Sequence, residues 1–164
     1  MGLTDRPKAA WDKRADVFIS IHNNNLPGES NPYKSPHGYS IFYFQPQSFE
    51  LARDVYQAYA RLVPLPGEML RFGNLLVARQ TAMPAILTES AYMTYPDQEA
   101  MLLDPAFRHK LAEAMVSGLR AFLESVRSRE SGLEASVKTP SAATKLATAP
   151  KAPKKHPGKH PPKK

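Results

Sequence analysis

The sequence predicts an α/β domain in which a mixed, mostly parallel sheet carries helices on both faces. Short runs of β-branched and aromatic residues alternate along the chain with amphipathic helical stretches, and this alternation is typical of sheets covered on both sides. The 164 residues, 42% of them hydrophobic, are enough for one domain with a buried core. We therefore expect a single α/β domain.

The first strand is predicted at "DVFISI", Asp16–Ile21, after a short helix that ends within residues 7–14. Its composition suits a strand buried on both faces. Asn23–Gly38 is rich in Asn, Pro, Gly and Ser and is predicted to be a loop. Loops of this length in compact domains are usually functional. The second strand is "YSIFYF", Tyr39–Phe44.

The remaining elements follow the same logic. Ser48–Val63 shows one apolar helical face, with its serine as the expected N-cap. "NLLVAR", Asn74–Arg79, and "PAILTES", Pro84–Ser90, are predicted as the third and fourth strands. A short helix and then a long one, from about Pro105 to Val126, complete the domain; the long helix has an apolar stripe of Phe107, Leu111, Met115, Leu119 and Phe122.

The composition changes to Ser, Ala, Thr, Pro and Lys from Arg127 onward. We therefore expect a folded domain over residues 1–126 and a disordered basic tail over residues 127–164. Residues 138–164 hold eight lysines and no acidic residue, so the net charge of +7 leaves +7 − 8 = −1 for residues 1–137. The tail is either a plain solvated extension or an electrostatic contact to an anionic polymer.

The composition excludes cysteine-based sites and gives no sign of a membrane span or a signal peptide. The chain has no cysteine, which excludes disulfides and thiolate zinc sites, so a metal would need histidine and carboxylate ligands. No apolar run is long enough for a membrane span, and the first residues lack the apolar core of a signal peptide.

Two predicted strands end on residues that can ligate or titrate, His22 and Glu89. If the strands are parallel, both residues lie at the same rim of the sheet, where α/β proteins bind ligands. A metal ligand and a general base are the functional interpretation. The alternatives are an ordinary solvent-facing histidine and a glutamate that caps a helix or lies on the surface.

The other histidines give weaker signals. His37 lies in the long loop. Three interpretations stay open for it: a third metal ligand, a substrate contact or a residue with no role. His109 lies between two cations in the long helix and is expected to be exposed. His156 and His160 lie in an irregular, proline-rich part of the tail that does not suit a specific metal site.

Four segments, in this order, resemble the zinc-dependent N-acetylmuramoyl-L-alanine amidases of the amidase 3 family. They are "RADVFISIHNNN", "HGYSIFYF", "LRFGNLLVARQTAMPAILTESAYMTYPDQEAML" and "FRHKLAEAMVSGLRAFL". Within them, Ser20-Ile21-His22 matches a strand that ends in histidine, and Gly38–Phe44 matches a strand led by glycine. Arg71–Arg79 and Met83–Glu89 match the family's two following motifs. The resemblance covers residues 4–124.

The resemblance implies a peptidoglycan hydrolase that cleaves the amide between N-acetylmuramic acid and the L-alanine of the stem peptide. It implies Zn²⁺ as cofactor, His22 as a zinc ligand and Glu89 as the catalytic carboxylate. We also expect substrate contacts from Asn23 and Arg71. The expected partner is peptidoglycan, and the expected location is the periplasm or the cell wall.

The family's other two zinc ligands, in a Gly-His-Gly-Gly turn and on the helix after it, have no counterpart in this sequence. We therefore expect a sheet that is incomplete at the N-terminus and a poor affinity for zinc. Ala91 and Tyr95 also replace the family's usual glycine and asparagine. The alternative function is a non-catalytic module that binds the cell wall or a partner. A nucleic-acid role would depend on the tail alone and ranks last.

Overall fold

Four strands form one sheet in the computed structural model, which describes residues 2–26 and 37–138. They are β1 (Phe18–Asn24), β2 (Tyr39–Tyr43), β3 (Gly67–Phe72) and β4 (Ala85–Tyr92). Their spatial order is β1-β4-β2-β3. β1 runs parallel to β4, β3 runs parallel to β2, and β2 and β4 are antiparallel. The predicted mixed, mostly parallel sheet is therefore confirmed.

The described part of the chain also contains four α-helices: α1 (Asp5–Asp12), α2 (Phe49–Leu62), α3 (Pro96–Leu103) and α4 (Pro105–Lys138). The hydrophobic core lies between the sheet and the pair formed by α2 and α4. Ile41 and Ile86 contribute from the sheet, and Val55 and Leu111 contribute from the two helices. These residues are the apolar faces that the sequence places at helical and strand spacing.

The opposite face of the sheet is also partly covered. Leu87 and Val77 are buried, although neither belongs to the cluster beneath α2 and α4. Val77 lies in a short 3-10 helix, Leu76–Arg79, that packs against β4 and β2. The prediction of a sheet flanked on both faces is thereby confirmed.

Two strand assignments need correction. The segment Asn74–Arg79 is not a strand, because its apolar residues are buried through the 3-10 helix without pairing in the sheet. The strand that does pair with β2 is β3, which the sequence analysis missed. β3 is an edge strand with several half-exposed or exposed residues, so it lacks the apolar run that marked the other strands.

Ser48 does not cap α2 in the expected way. Its side chain makes no capping hydrogen bond. Instead, the buried Ser48 hydroxyl accepts a hydrogen bond from the backbone N–H of Ala85 at 2.9 Å. Ser48 therefore joins the start of α2 to the start of β4, and it satisfies a backbone donor that would otherwise be buried without a partner.

The predicted helix end at Val126 is wrong, because α4 continues to Lys138. The helix thus includes residues 127–138, and the division into a folded domain and a disordered tail stays a prediction. Arg129 in this extension forms an ion pair with Glu50 in the first turn of α2 at 2.5 Å. The remainder of the expected tail, residues 139–164, lies outside the described residues. Among the described helices, none combines the length and apolar character needed to cross a membrane.

Candidate active site

His22 and Glu89 lie side by side on neighbouring strands. They are direct partners in the parallel register of β1 and β4, and Ser40 of β2 is the next partner of Glu89 in the same row. Paired residues in a sheet point to the same face, and successive residues alternate between faces. Ser90 points towards α2, where its hydroxyl contacts that of Tyr59, so the row of Glu89 lies on the opposite face. The two residues therefore meet on one face of the sheet, as predicted. The predicted strand ends at these residues are wrong, because β1 continues to Asn24 and β4 to Tyr92.

Burial gives the Glu89 carboxyl an unusual titration range. Desolvation raises the pKa of Glu89 from 4.5 to about 7. One of its oxygens, Oε2, is buried and has no hydrogen-bond partner among the described residues. A carboxyl with a pKa near neutral pH can both accept and donate a proton under physiological conditions, as general acid–base catalysis requires.

The His22 ring is oriented by a neighbour on the same strand. Its Nε2 lies 3.0 Å from the Ser20 hydroxyl, two residues earlier and on the same face of β1. Hydrogen bonds of this kind commonly fix the ring of a metal-ligating histidine. The imidazole is half-buried rather than fully solvated.

Arg71 lies on the same face of the sheet as Glu89. It pairs in register with Phe42, and Phe42 pairs with Leu87, two residues before Glu89 on β4. The Arg71 guanidinium carbon lies 5.8 Å from the centre of the Phe42 ring, which is within the range of a cation–π contact. The expected substrate residue Arg71 is thus placed on the face that carries His22 and Glu89.

Glu68 is a buried carboxylate that the sequence analysis did not single out. Its side chain is 6% exposed. One oxygen, Oε2, accepts hydrogen bonds from the Tyr92 hydroxyl at 3.1 Å, the Ser40 hydroxyl at 3.3 Å and Arg71 Nη2 at 3.4 Å. The other oxygen, Oε1, is buried without a partner among the described residues. We call Glu68, Ser40, Tyr92 and Arg71 the Glu68 cluster.

Asn23 does not lie with the other predicted site residues. It follows His22 and therefore points to the other side of β1, where it lines a groove of about 300 Å³ with Ile21 and residues of α4. Ile21 in this groove is 66% exposed. A substrate contact by Asn23 stays a prediction, and it would involve a surface separate from that of Glu89.

Of the other histidines in the described residues, His37 lies beside the site and His109 does not. The His37 ring stacks on Tyr95 at 3.8 Å, and Tyr95 in turn packs edge-on against Tyr92 of the Glu68 cluster. His109 is exposed on α4 and lies 3.3 Å from Glu113, in agreement with the sequence. Residues 27–36 of the long loop lie outside the described residues.

A zinc site is only partly represented by these side chains. His22 fits as a ligand, since it is a half-buried imidazole and one of its ring nitrogens has a hydroxyl partner. Protein zinc sites require at least three such ligands. Within residues 2–26 and 37–138, no three His, Asp or Glu side chains are grouped so that they could hold a metal ion.

A mixed α/β sheet that presents a histidine beside a carboxyl of near-neutral pKa has the groups of a hydrolase site. The sequence profile of the N-acetylmuramoyl-L-alanine amidase family Amidase_3 matches residues 1–121. The chain belongs to this family.

Curated relatives agree with this assignment. The probable cell wall amidase LytH of Staphylococcus saprophyticus is 31% identical over 109 residues, which are 66% of this chain and 36% of the relative. The corresponding protein of Staphylococcus epidermidis is 31% identical over 112 residues, 68% of this chain and 37% of the relative. The chain thus spans little more than a third of the length of these relatives.

Solved structures share the fold. The N-acetylmuramoyl-L-alanine amidase of Clostridium difficile 630 superposes with a TM-score of 0.69 at 30% identity, over 76% of this chain and 67% of that chain. The catalytic domain of the amidase CwlV from Bacillus (Paenibacillus) polymyxa gives a TM-score of 0.68 at 30% identity, over 76% of this chain and 66% of that chain.

Proposed function

We propose that this chain acts on peptidoglycan as a zinc-dependent amidase that cleaves the bond between N-acetylmuramic acid and the L-alanine of the stem peptide. The observation that carries the proposal is the pairing of His22 with Glu89 on one face of the sheet. The chain's family and its cell wall amidase relatives support the substrate class. We place this activity at the cell wall or in the periplasm.

Glu89 acts as the general base and then as the general acid. Its pKa of about 7 lets the carboxylate take a proton from the attacking water and pass it to the amine that leaves.

His22 is the residue of this chain that would hold zinc, with Ser20 orienting its ring. Zinc, when bound, supplies Lewis-acid polarisation of the amide carbonyl and a water of lowered pKa. Residues 2–26 and 37–138 do not group three ligands, so His22 is the one described residue that we assign to zinc.

The test is release of stem peptides from purified peptidoglycan by the purified chain supplied with zinc, followed by mass spectrometry. The wild type should release peptides with a free N-terminal alanine. Glu89→Gln should lower the rate at least about 100-fold, as expected for loss of a general acid–base group, with no loss of bound zinc. Glu124→Gln, which removes an exposed carboxylate on α4, is the matched control.

Two results would contradict the proposal. Failure of the wild-type chain to release peptides would refute amidase activity for this polypeptide, and retention on intact peptidoglycan without cleavage would then support a binding module. Loss of zinc from Glu89→Gln would make Glu89 a ligand instead of the proton-transfer group.

A further inference from the structure

We infer that Arg71 binds a carboxylate of the stem peptide, two or three residues from the bond that is cleaved, and that Glu68 is the positioning residue which holds Arg71 for this contact. The inference rests on the proposed function, because it takes the substrate to be a stem peptide. It adds the chemical group that is recognised and a residue, Glu68, that the family resemblance did not supply.

The first argument is the difference in exposure between the two charged partners. The Glu68 side chain is 6% exposed, whereas that of Arg71 is 36% exposed. Glu68 is therefore too deep to contact a ligand from solvent. Arg71 reaches the open surface, so the ligand-binding member of the pair is the cation, and its natural ligand is an anion.

The second argument is that the Arg71 side chain is held from two directions. Glu68 Oε2 accepts from Nη2 at 3.4 Å on one side, and the Phe42 ring lies below the guanidinium at 5.8 Å. Fixing a long cationic side chain in advance lowers the entropy lost on binding. Tyr92 and Ser40 hold Glu68 in turn.

The third argument is unused hydrogen-bonding capacity. A guanidinium has five N–H donors, arranged as forks that match a carboxylate. Only the Nη2 donor is engaged with Glu68 in the described residues, and Nε is buried without a partner. Because Nε is buried, a carboxylate from solvent would pair with the terminal Nη donors that Glu68 leaves open, and a neutral carboxamide would do so less strongly.

The fourth argument is distance along the sheet. Arg71 on β3 is separated from Glu89 on β4 by the intervening strand β2. Adjacent strands lie about 4.8 Å apart, and Arg71 is level with Leu87, two residues or about 7 Å along the strand from Glu89, so the two Cα atoms are roughly 12 Å apart. An extended peptide advances about 3.3–3.6 Å per residue. A substrate held with its scissile amide at Glu89 therefore brings its second or third residue towards Arg71.

The experiment measures binding by titration calorimetry with the full chain and synthetic alanyl-γ-glutamyl-lysine peptides, blocked at both ends. In one peptide the second residue keeps its free carboxylate, and in its partner this group is a carboxamide. In a second pair the group on the second residue is a carboxamide throughout, and one peptide is left without its C-terminal block so that the lysine carboxylate is free. The wild type should bind one carboxylate peptide at least about 10-fold more tightly than its carboxamide partner, as a charge-assisted pair predicts.

Arg71→Gln should abolish this preference, with a much smaller loss of affinity for the carboxamide peptide than for the carboxylate peptide. Arg71→Lys should restore part of it, because lysine keeps the charge but not the fork. Glu68→Gln should weaken binding of the carboxylate peptide alone, an effect that a purely structural role would not produce. Arg61→Gln, the same change at the exposed end of α2, should behave as wild type.

Equal binding of the paired peptides, or no binding of either pair up to millimolar concentration, would overturn the inference. So would an unchanged preference in an Arg71→Gln protein that unfolds at the wild-type temperature. The outcome is separable from that of the proposed function: an Arg71-dependent preference without peptide release refutes only the amidase, and release that ignores the carboxylate refutes only this inference.

Discussion

His22 and Glu89 are direct register partners on two parallel strands, and the Glu89 carboxyl there has a buried oxygen with no partner among the described residues. This arrangement costs the fold some stability, since an ionised carboxylate in that position gives up hydration without a compensating hydrogen bond. Natural proteins often keep such unfavourable groups where chemistry requires them.

The stability of the chain should consequently fall as pH rises through the titration range of Glu89. The folded-state pKa of about 7 lies above the unfolded value of 4.5, so the native state binds more protons than the unfolded state between these values. Glu89→Gln should remove this pH dependence and be more stable than wild type at pH 8 by about 1–2 kcal/mol, after allowance for solvent screening.

Urea unfolding at pH 4 and pH 8, with a chelator present to exclude metal binding, measures this difference. The advantage of Glu89→Gln should be absent at pH 4, where the carboxyl is protonated in both states. Glu124→Gln, at an exposed site on α4, serves as control. An advantage of equal size at both pH values would show that packing, and not ionisation, is responsible.

The sequence was sufficient to find His22 and Glu89 because each lies just after a strongly apolar run, and equivalent positions of two parallel strands lie side by side. Both strands nevertheless continue beyond these residues, β1 to Asn24 and β4 to Tyr92. The sequence was insufficient for Glu68. The register between β2 and β3 shifts so that Tyr39 faces Gly67 and Ser40 faces Met69, which leaves Glu68 as an extra residue. Such a bulge depends on how the two strands pair, and the residues around Glu68 carry no local pattern that predicts the bulge.

The wrong strand at Asn74–Arg79 has a related cause. A short apolar run predicts that its residues will be buried, but it does not predict whether they form a strand or a helix. Val77 and Ala78 reach burial through a 3-10 helix. A usable signal for β3 was nonetheless present in the prolines at positions 64 and 66 before it and in Gly73 and Asn74 after it.

Ser48→Ala should destabilise the fold although serine is not acting as a helix cap. The substitution removes the acceptor for the Ala85 backbone N–H, which is buried at the start of β4. An unpaired buried donor costs about 1–3 kcal/mol. Ser128→Ala, which removes a hydroxyl bonded to a carbonyl on an exposed part of α4, should change the free energy of unfolding by less than about 0.5 kcal/mol. Equal effects of the two substitutions in urea unfolding would contradict this role for Ser48.

The close contact between α2 and α4 depends on a glycine, Gly118, in α4. A Cβ atom added to Gly118 would lie 2.4 Å from Val55 Cα and 2.7 Å from Val55 N. Both are backbone atoms of α2, so neither can move aside without shifting the helix. Gly118→Ala should therefore lower the free energy of unfolding by about 1–3 kcal/mol, despite alanine's higher helix propensity.

The matched control lies in the same helix. A Cβ atom added to Gly132 meets nothing within 4 Å, so Gly132→Ala should show the helix propensity alone and leave stability unchanged or raised by up to about 1 kcal/mol. Thermal and urea unfolding of both variants measure the difference. If Gly118→Ala also stabilised the protein, α2 and α4 would have to be farther apart than described, and the core around Val55 and Leu111 would be looser than its burial indicates.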